Sequence, residues 1–439
     1  MRTPVSEGER STAERRTAER GTAEGGALEQ EARGEPPAMG YRELLGRPGI
    51  RPWLLVTLAA KLPVAMAPLA LVFLVRETAG GYTLGAVLGG AYVVGEVVGA
   101  PLLGARLHGT RLRRELALGL LGGAGAFAGL AFCHSAPPAL AVVLAFLAGA
   151  APAAHAGGLR ALLVAAVPEH GVARALSVET TLTQGIWAVA PAAVAFLALG
   201  AAPGAPLGLA ACCAALAAVG VRTLPAVGTD GEQAAHGAGE RPSRGRALAA
   251  GWPVYLTSAA AMALLATAEL VLPALLESRG LPVSWSGPLL TVFSVASVVG
   301  GLLYGARRWP GGPRAQSLVL LVAMAAFVAL IAVLPGLVGI ALGLVLAGAF
   351  KSGVMVTRNL SLRERVPAGM LAAGYSLMYA VQGVGYSLTA SLAAVILANA
   401  EPGTAVLCGA GLTLLLTLVS ASAEHRSRGV RLEAPSNRP

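Results

Sequence analysis

Twelve apolar runs, each near the length a helix needs to cross a bilayer, constrain this 439-residue chain more than any motif does. They lie at 52–75, 82–105, 115–133, 137–159, 175–199, 204–221, 252–276, 284–305, 315–334, 337–357, 370–397 and 403–421. A helix rises about 1.5 Å per residue and the hydrocarbon layer is about 30 Å thick, so runs of about 20 apolar residues read as bilayer-spanning helices. With 55% hydrophobic and 13% charged residues and a mean hydropathy of +0.67, the chain has too little polar surface for a water-soluble globule. The expected fold class is therefore all-α, a polytopic membrane protein of twelve transmembrane helices.

The chain also repeats itself. VVGAPLLGAR at 97–106 returns as VVGGLLYGAR at 298–307, in both cases at the end of an apolar run. A second pair, from Arg160 to Gly185 and from Arg358 to Gly383, places Pro168 and Pro367 at matching positions, so spans 4 and 5 correspond to spans 10 and 11. Duplication of this kind predicts two homologous six-helix bundles related by a pseudo-two-fold axis. The division is a disordered N-terminal tail at 1–45, an N-terminal bundle at 46–222, a cytoplasmic linker at 223–250, a C-terminal bundle at 251–421 and a C-terminal tail at 422–439. The first 40 residues are polar, carry TAER near-repeats and lack both aromatics and an apolar signal-peptide core, and Met39 offers an alternative start.

The net charge of +10 is a topology signal, not a nucleic-acid footprint, because the basic residues cluster between apolar runs. The connections after spans 2, 4, 6, 8 and 10 hold sixteen arginines, Arg160 and Arg358 among them, against two, Arg76 and Arg279, after the odd spans. Positive residues stay inside, so both termini are expected in the cytoplasm and the chain in the cell membrane. Cys133, Cys212, Cys213 and Cys408 show no CxxC spacing and read as small core residues, with no metal site and no cofactor implied.

An ionisable side chain near the bilayer centre costs several kcal/mol, so each one asks for a role. The interiors of spans 3, 6, 9 and 12 hold none, as expected if every third span faces lipid and the others surround a central cavity. Lys61, Glu96, Glu269 and Lys351 are the proton-coupling or ion-pair candidates. Lys61 and Glu96 sit at similar depth in neighbouring spans and are expected to pair, whether as a switch or as a static fastening. Glu179 is expected to form an interfacial pair with Arg174, and Lys351 to meet a substrate anion or a carboxylate on another helix. Tyr375, Tyr379, Gln382 and Tyr386 share one face of span 11, and Thr180, Gln184 and Trp187 form a similar row in span 5. Either row could line a substrate path or pack helix on helix. Gly95 with Gly99, and Gly301 with Gly305, read as packing devices; Pro63, Pro68 and Pro273 read as kinks.

After span 2 the chain reads GARLHGTRLRR from Gly104, and with its duplicated twelve spans it resembles the major facilitator superfamily. Gly104 and Arg113 fall on that family's loop pattern; His108 replaces its acid, Gly109 its first arginine and Arg111 its second glycine. The resemblance implies a gating loop of Gly104, Arg106, Arg111 and Arg113 without the acid that latches the two halves. KLPVAMAPLALVFLV and GGYTLGAVLGGAYVVGEVVGAP in spans 1 and 2 are similar to a bacterial branch of drug and metabolite exporters. The family's antiport signature in span 5 survives as Gly185 and Ala190-Pro191-Ala192. The resemblance thus implies a secondary transporter working by alternating access, with proton-coupled export of a drug or secondary metabolite as the leading expectation and proton-coupled or facilitative uptake as the alternative. A non-transporting sensor or a membrane enzyme would need an appended domain or a cluster of His, Asp or Ser; instead His108, His134, His155 and His170 are scattered. The expected partners are a small-molecule substrate, protons and the lipid bilayer around a monomer, without nucleic acid.

Overall fold

The computed structural model describes residues 39–78, 81–132, 137–225, 243–307 and 309–432, without the side chains of Tyr82, Thr110 and 424–432. The expectations for residues 1–38, Cys133, His134, Arg308, Arg241 and most of the linker fall outside the described residues.

Among the described residues are twelve helices long and apolar enough to cross a membrane. Spans 1 to 6 are Ile50–Val75, Thr83–Gly104, Leu112–Phe132, Pro138–Ala165, Glu169–Gly200 and Ala205–Thr223. Spans 7 to 12 are Trp252–Ser278, Val283–Ala306, Pro313–Val333, Gly336–Arg363, Ala368–Asn399 and Pro402–Ala423. The protein is thus a multi-pass membrane protein of two six-helix bundles. The loops after the even-numbered spans share one face, here called the basic face.

The ends of the spans are written in local chemistry. Proline in the first turn opens spans 6, 7 and 9, where its missing N–H has no helical partner to lose. Gly49, in the left-handed region at φ 91°, precedes span 1. Pro168 and Pro367, the matched prolines of the repeat, each cap a short 3-10 turn that leads into spans 5 and 11. Arginines close several far ends. Arg113 donates to Leu224 O at 2.6 Å at the end of span 6, and Arg279 donates to Leu334, Ile331 and Ala332 carbonyls at 2.6–3.0 Å at the end of span 9. The last carbonyls of a helix have no intrahelical donor and carry partial negative charge, so a guanidinium satisfies both needs.

Several expected boundaries shift. Tyr41–Gly46, assigned to the disordered tail, is a helix, because Met39 and Leu44 are apolar and buried against the bundle. Spans 4 and 10 run on past 159 and 357 to Ala165 and Arg363, which moves Arg160 and Arg358 from loops into helices. Span 12 lies in a helix that continues to Leu432, beyond the expected end at 421. Arg244–Ala249, inside the expected linker, is also helical. Pro63, Pro68 and Pro273 sit inside unbroken helices. The cysteines are a correction: Cys212 and Cys408 are exposed on spans 6 and 12 and Cys213 is half-buried. Lipid solvates a thiol as well as a protein core does, so hydropathy places a cysteine in a span without burying it.

The apolar cores describe how the bundles meet. One cluster lies wholly in the N-terminal bundle, around Met66, Leu88, Phe127 and Leu207, and another wholly in the C-terminal bundle, around Leu264, Met324, Ile340 and Val406. A third, nearer the basic face, crosses the divide and joins Ile50, Leu116 and Leu176 to Tyr304, Val356 and Ala372. The bundles therefore share a core on the basic side and keep separate cores on the opposite side. This is a molecule closed at its basic face, and the contacts between bundles come from spans 2, 4 and 5 against 8, 10 and 11.

Candidate functional site: a charged seam between the bundles

Among the described residues, the least exposed charged side chain is Glu179, 1% exposed, at the centre of a polar cluster. Its Oε1 accepts from the Lys61 ammonium and, at 2.9 Å, from Arg160 Nη2, while Oε2 accepts from Arg160 Nε at 3.3 Å. Lys61 donates also to Thr183 Oγ1 at 2.6 Å, and that hydroxyl donates back to Glu179 O at 2.8 Å. One carboxylate thus serves two cations from spans 1 and 4. The expected Lys61–Glu96 pair does not form, nor does a Glu179–Arg174 pair. The helix of span 5 turns Glu179 inward toward span 1, where two buried cations compete for it more strongly than any group at the interface. Sequence reading missed Arg160 because it was counted as loop charge; its repeat partner Arg358, 2% exposed, is buried at the equivalent point of span 10.

Glu96 lies elsewhere, at the junction of the bundles. It accepts from Tyr92 on its own helix at 3.2 Å and from Tyr379 of span 11 at 3.1 Å. No cation forms an ion pair with it among the described residues. Beside it, His155 places Nδ1 at 2.8 Å from Pro152 O, so that nitrogen carries the proton, and its ring meets Tyr379 edge-on at 6.4 Å.

The span 11 stripe proves to be a ladder of unlike contacts. Tyr375 is fully buried, with its hydroxyl donating to Asn359 O at 3.2 Å and its ring 5.4 Å from the Arg160 guanidinium. Tyr379 reaches Glu96, Gln382 points its amide at Met355 Sδ at 3.9 Å, and Tyr386 donates to Glu269 Oε2 at 3.4 Å. In this conformation the lower two tyrosines close the seam, and only the upper part of the stripe faces the side where the bundles separate. In span 5, Thr180 is buried, Trp187 is half-exposed, and Gln184 donates to Ser297 Oγ at 3.3 Å, itself 2.9 Å from Ser352 Oγ. That chain of three hydroxyl and amide groups links spans 5, 8 and 10.

Lys351 is 7% exposed and has no hydrogen-bond acceptor among the described residues. Its ammonium lies 5.0 Å from the centre of the Phe293 ring, and Glu269 is the carboxylate whose charge it feels, without closing to an ion pair.

Of the expected gating residues, Gly104 abuts Ser376 across the divide, while Arg106 and Arg111 are exposed and Arg113 fastens spans 3 and 6 within one bundle. Arg106 also lines a cavity of about 290 Å³ with Glu115 and His155. Two further contacts at the basic face span the divide: Arg363 pairs with Glu169 at 3.5 Å, and Arg174 donates to Gly305 O at 2.9 Å and Ala306 O at 3.0 Å at the end of span 8. Its guanidinium also stacks 5.0 Å from the Tyr41 ring, whose hydroxyl donates to Leu302 O at 2.7 Å. Burial pushes the Tyr41 phenol up against the opposing pull of Arg174, so it remains a donor. Gly305 is required here: a side chain would meet Ser177 Oγ and Tyr41 OH at 2.5 Å. The second glycine pair therefore packs span 8 against span 5 of the other bundle.

Residues 53–390 match the family model described as Major Facilitator Superfamily. The human organic anion transporter MFSD10 (TETRAN) is similar in structure, at 17% identity and TM-score 0.70, covering 85% of this chain and 98% of that one. The E. coli fucose:proton symporter FucP aligns at 17% identity and TM-score 0.66, covering 85% and 99%. A bacterial homologue of the iron transporter ferroportin, in an outward-facing state, aligns at 14% identity and TM-score 0.65, covering 85% and 99%. No curated protein sequence matches significantly.

Proposed function

Because the chain belongs to the major facilitator superfamily, and so is a membrane transporter and not an enzyme, we propose that it is a proton-coupled carrier that exports a small molecule by alternating access. The bundles rock about the charged seam, and the conformation described above is the outward-open one, with both termini and the basic face in the cytoplasm of the cell that holds it in its cell membrane. It works as a single chain.

The observation that carries proton coupling is Glu96. Glu179 is held by two cations and stays charged in either conformation, whereas among the described residues Glu96 meets two tyrosine hydroxyls, one from each bundle, and no cation. A carboxylate in that setting exchanges a proton when the bundles part and Tyr379 withdraws. The cost of leaving an ionised carboxylate in a dry seam then ties protonation to movement. Support for export comes from the resemblance of spans 1 and 2 to exporters. The fucose:proton symporter supplies the competing reading, uptake with a proton, through fold alone.

The test is purified protein in proteoliposomes loaded with a pH-sensitive dye, challenged with a compound panel under an imposed pH gradient. Compounds that are carried should move protons, and Glu96→Gln should abolish that proton movement while leaving compound exchange across the membrane intact. Proton movement that survives Glu96→Gln unchanged would overturn the assignment.

A further inference from the structure

The C-terminal bundle holds two opposite charges that do not meet. Lys351 comes from span 10 and Glu269 from span 7; each lies within the other's electrostatic influence, yet they form no ion pair. A lysine side chain has four rotatable bonds, and a buried ammonium normally closes onto any carboxylate it can reach. Here it is 7% exposed, lies against the Phe293 ring and has no acceptor among the described residues. Glu269 is only partly buried and, among the described residues, accepts one bond, from Tyr386.

The depth of this pair matters. At about 1.5 Å per residue, Lys351 lies roughly 18 Å from the basic-face end of span 10, Tyr386 roughly 22 Å up its helix and Glu269 roughly 25 Å up span 7. Among the described residues, the inter-bundle contacts farthest from that face, Gln184 to Ser297 and Val97 against Gly383, lie roughly 10 to 18 Å from it by the same count. Lys351 is next to Ser352, the end of the Gln184 chain. In the outward-open conformation proposed above, the ammonium stands at the floor of the cleft, and the carboxylate and Tyr386 stand on its wall.

We propose that Lys351 and Glu269 are the two poles of a binding site for a zwitterionic small molecule, its acidic group on Lys351 and its ammonium on Glu269, with the Tyr386 ring against its body. A gap between opposite charges is complementary to a ligand that carries both. A lone anion on Lys351 would face the Glu269 carboxylate, and a lone cation on Glu269 would face the Lys351 ammonium; the zwitterion alone satisfies both. This inference rests on the cleft being the transport path proposed above.

The experiment uses the full chain in detergent and four probes on one skeleton: phenylalanine, 3-phenylpropanoate, 2-phenylethylamine and 2-phenylethanol. Thermal stabilisation is titrated with each. Phenylalanine should stabilise at concentrations about tenfold below either singly charged probe, and Lys351→Met or Glu269→Gln should each remove that advantage. Equal potency of 3-phenylpropanoate would overturn the proposal in favour of an anion site, equal potency of 2-phenylethylamine in favour of a cation site, and no response to any probe would overturn it outright. Because removing a buried charge can unfold a bundle, a second measurement uses single cysteines on a background in which Cys133, Cys212, Cys213 and Cys408 are alanine. Glu269→Cys, facing Lys351, should react faster with a sulfonate-bearing methanethiosulfonate than with a trimethylammonium one, and Lys351→Cys should show the reverse. The same charge preference at both positions, or no reaction at either, would overturn the two-pole geometry. Gradient-driven proton flux in the Glu96 experiment reads the carrier assignment separately, so the two can fail independently.

Discussion

Replacing Glu179 by glutamine strands two buried cations at once. The carboxylate accepts from Lys61 and twice from Arg160; an amide keeps one acceptor oxygen, loses the charge and turns an NH2 toward a guanidinium. Removing one partner of a buried ion pair costs about 3–5 kcal/mol. Lys61→Met should cost less, about 1–2 kcal/mol, because Glu179 retains Arg160 at 2.9 Å. In Lys61→Met/Glu179→Gln one of the stranded cations is gone, so the double variant should be about 2 kcal/mol more stable than the two single losses added together. Unfolding of a twelve-span protein is best followed as a rate, here in mixed micelles of dodecyl maltoside and dodecyl sulfate. If the transition state has lost the cluster, Glu179→Gln should unfold about two to four orders of magnitude faster than the parent. A Glu179→Gln protein as durable as the parent, or strict additivity with Lys61→Met, would refute the idea that this carboxylate holds both cations.

Three further outcomes are expected. Tyr379→Phe removes the hydroxyl that the second bundle offers Glu96, so proton-driven flux should fall about tenfold without loss of fold, read as flux against circular dichroism. Arg174→Met removes two partly exposed charged hydrogen bonds to span 8; a loss of about 1.4 kcal/mol would shift the conformational ratio about tenfold toward an open basic face, visible as a longer distance between spin labels at positions 114 and 368. Gly157→Val would bring its Cβ within 2.5 Å of Ala372 O and 2.6 Å of Ser376 N, and should hold that face open in the same spin-label measurement whatever the pH.

Span number, duplication and the side on which arginine gathers were all legible in the sequence, because each depends on local patterns: apolar length, repeated helix ends and charge per loop. The charge partners were not. Lys61 and Glu96 lie at similar depth on adjacent helices, and depth is all that residue counting supplies; rotation about the helix axis decides that Lys61 meets span 5 and Glu96 meets span 11. Arg160 and Arg358 illustrate a different limit. An arginine ending an apolar run reads as a loop residue whether its head is in water or folded back into the bundle; for Arg160 the Glu179 carboxylate decides it, and Arg358 is buried likewise. The repeat that aligned these arginines was the available clue, since loop charges have no need to recur at matching helical positions. The Tyr375 to Tyr386 stripe shared one face as expected, yet its members serve different ends, because a long helix at a tilted interface meets a new neighbour every turn.

The clasp at Arg174 has one more implication. Backbone carbonyls at a helix end neither gain nor lose protons near neutrality, and a guanidinium is charged at any pH a cell meets. A bolt made of such parts cannot itself sense acidity, unlike one built on a carboxylate. If the carrier is proton-coupled as proposed, holding strength and chemical timing fall to different places: the bolt at the basic face would set how long the carrier waits, and the tyrosine-bound acid a few turns deeper would set when it is released.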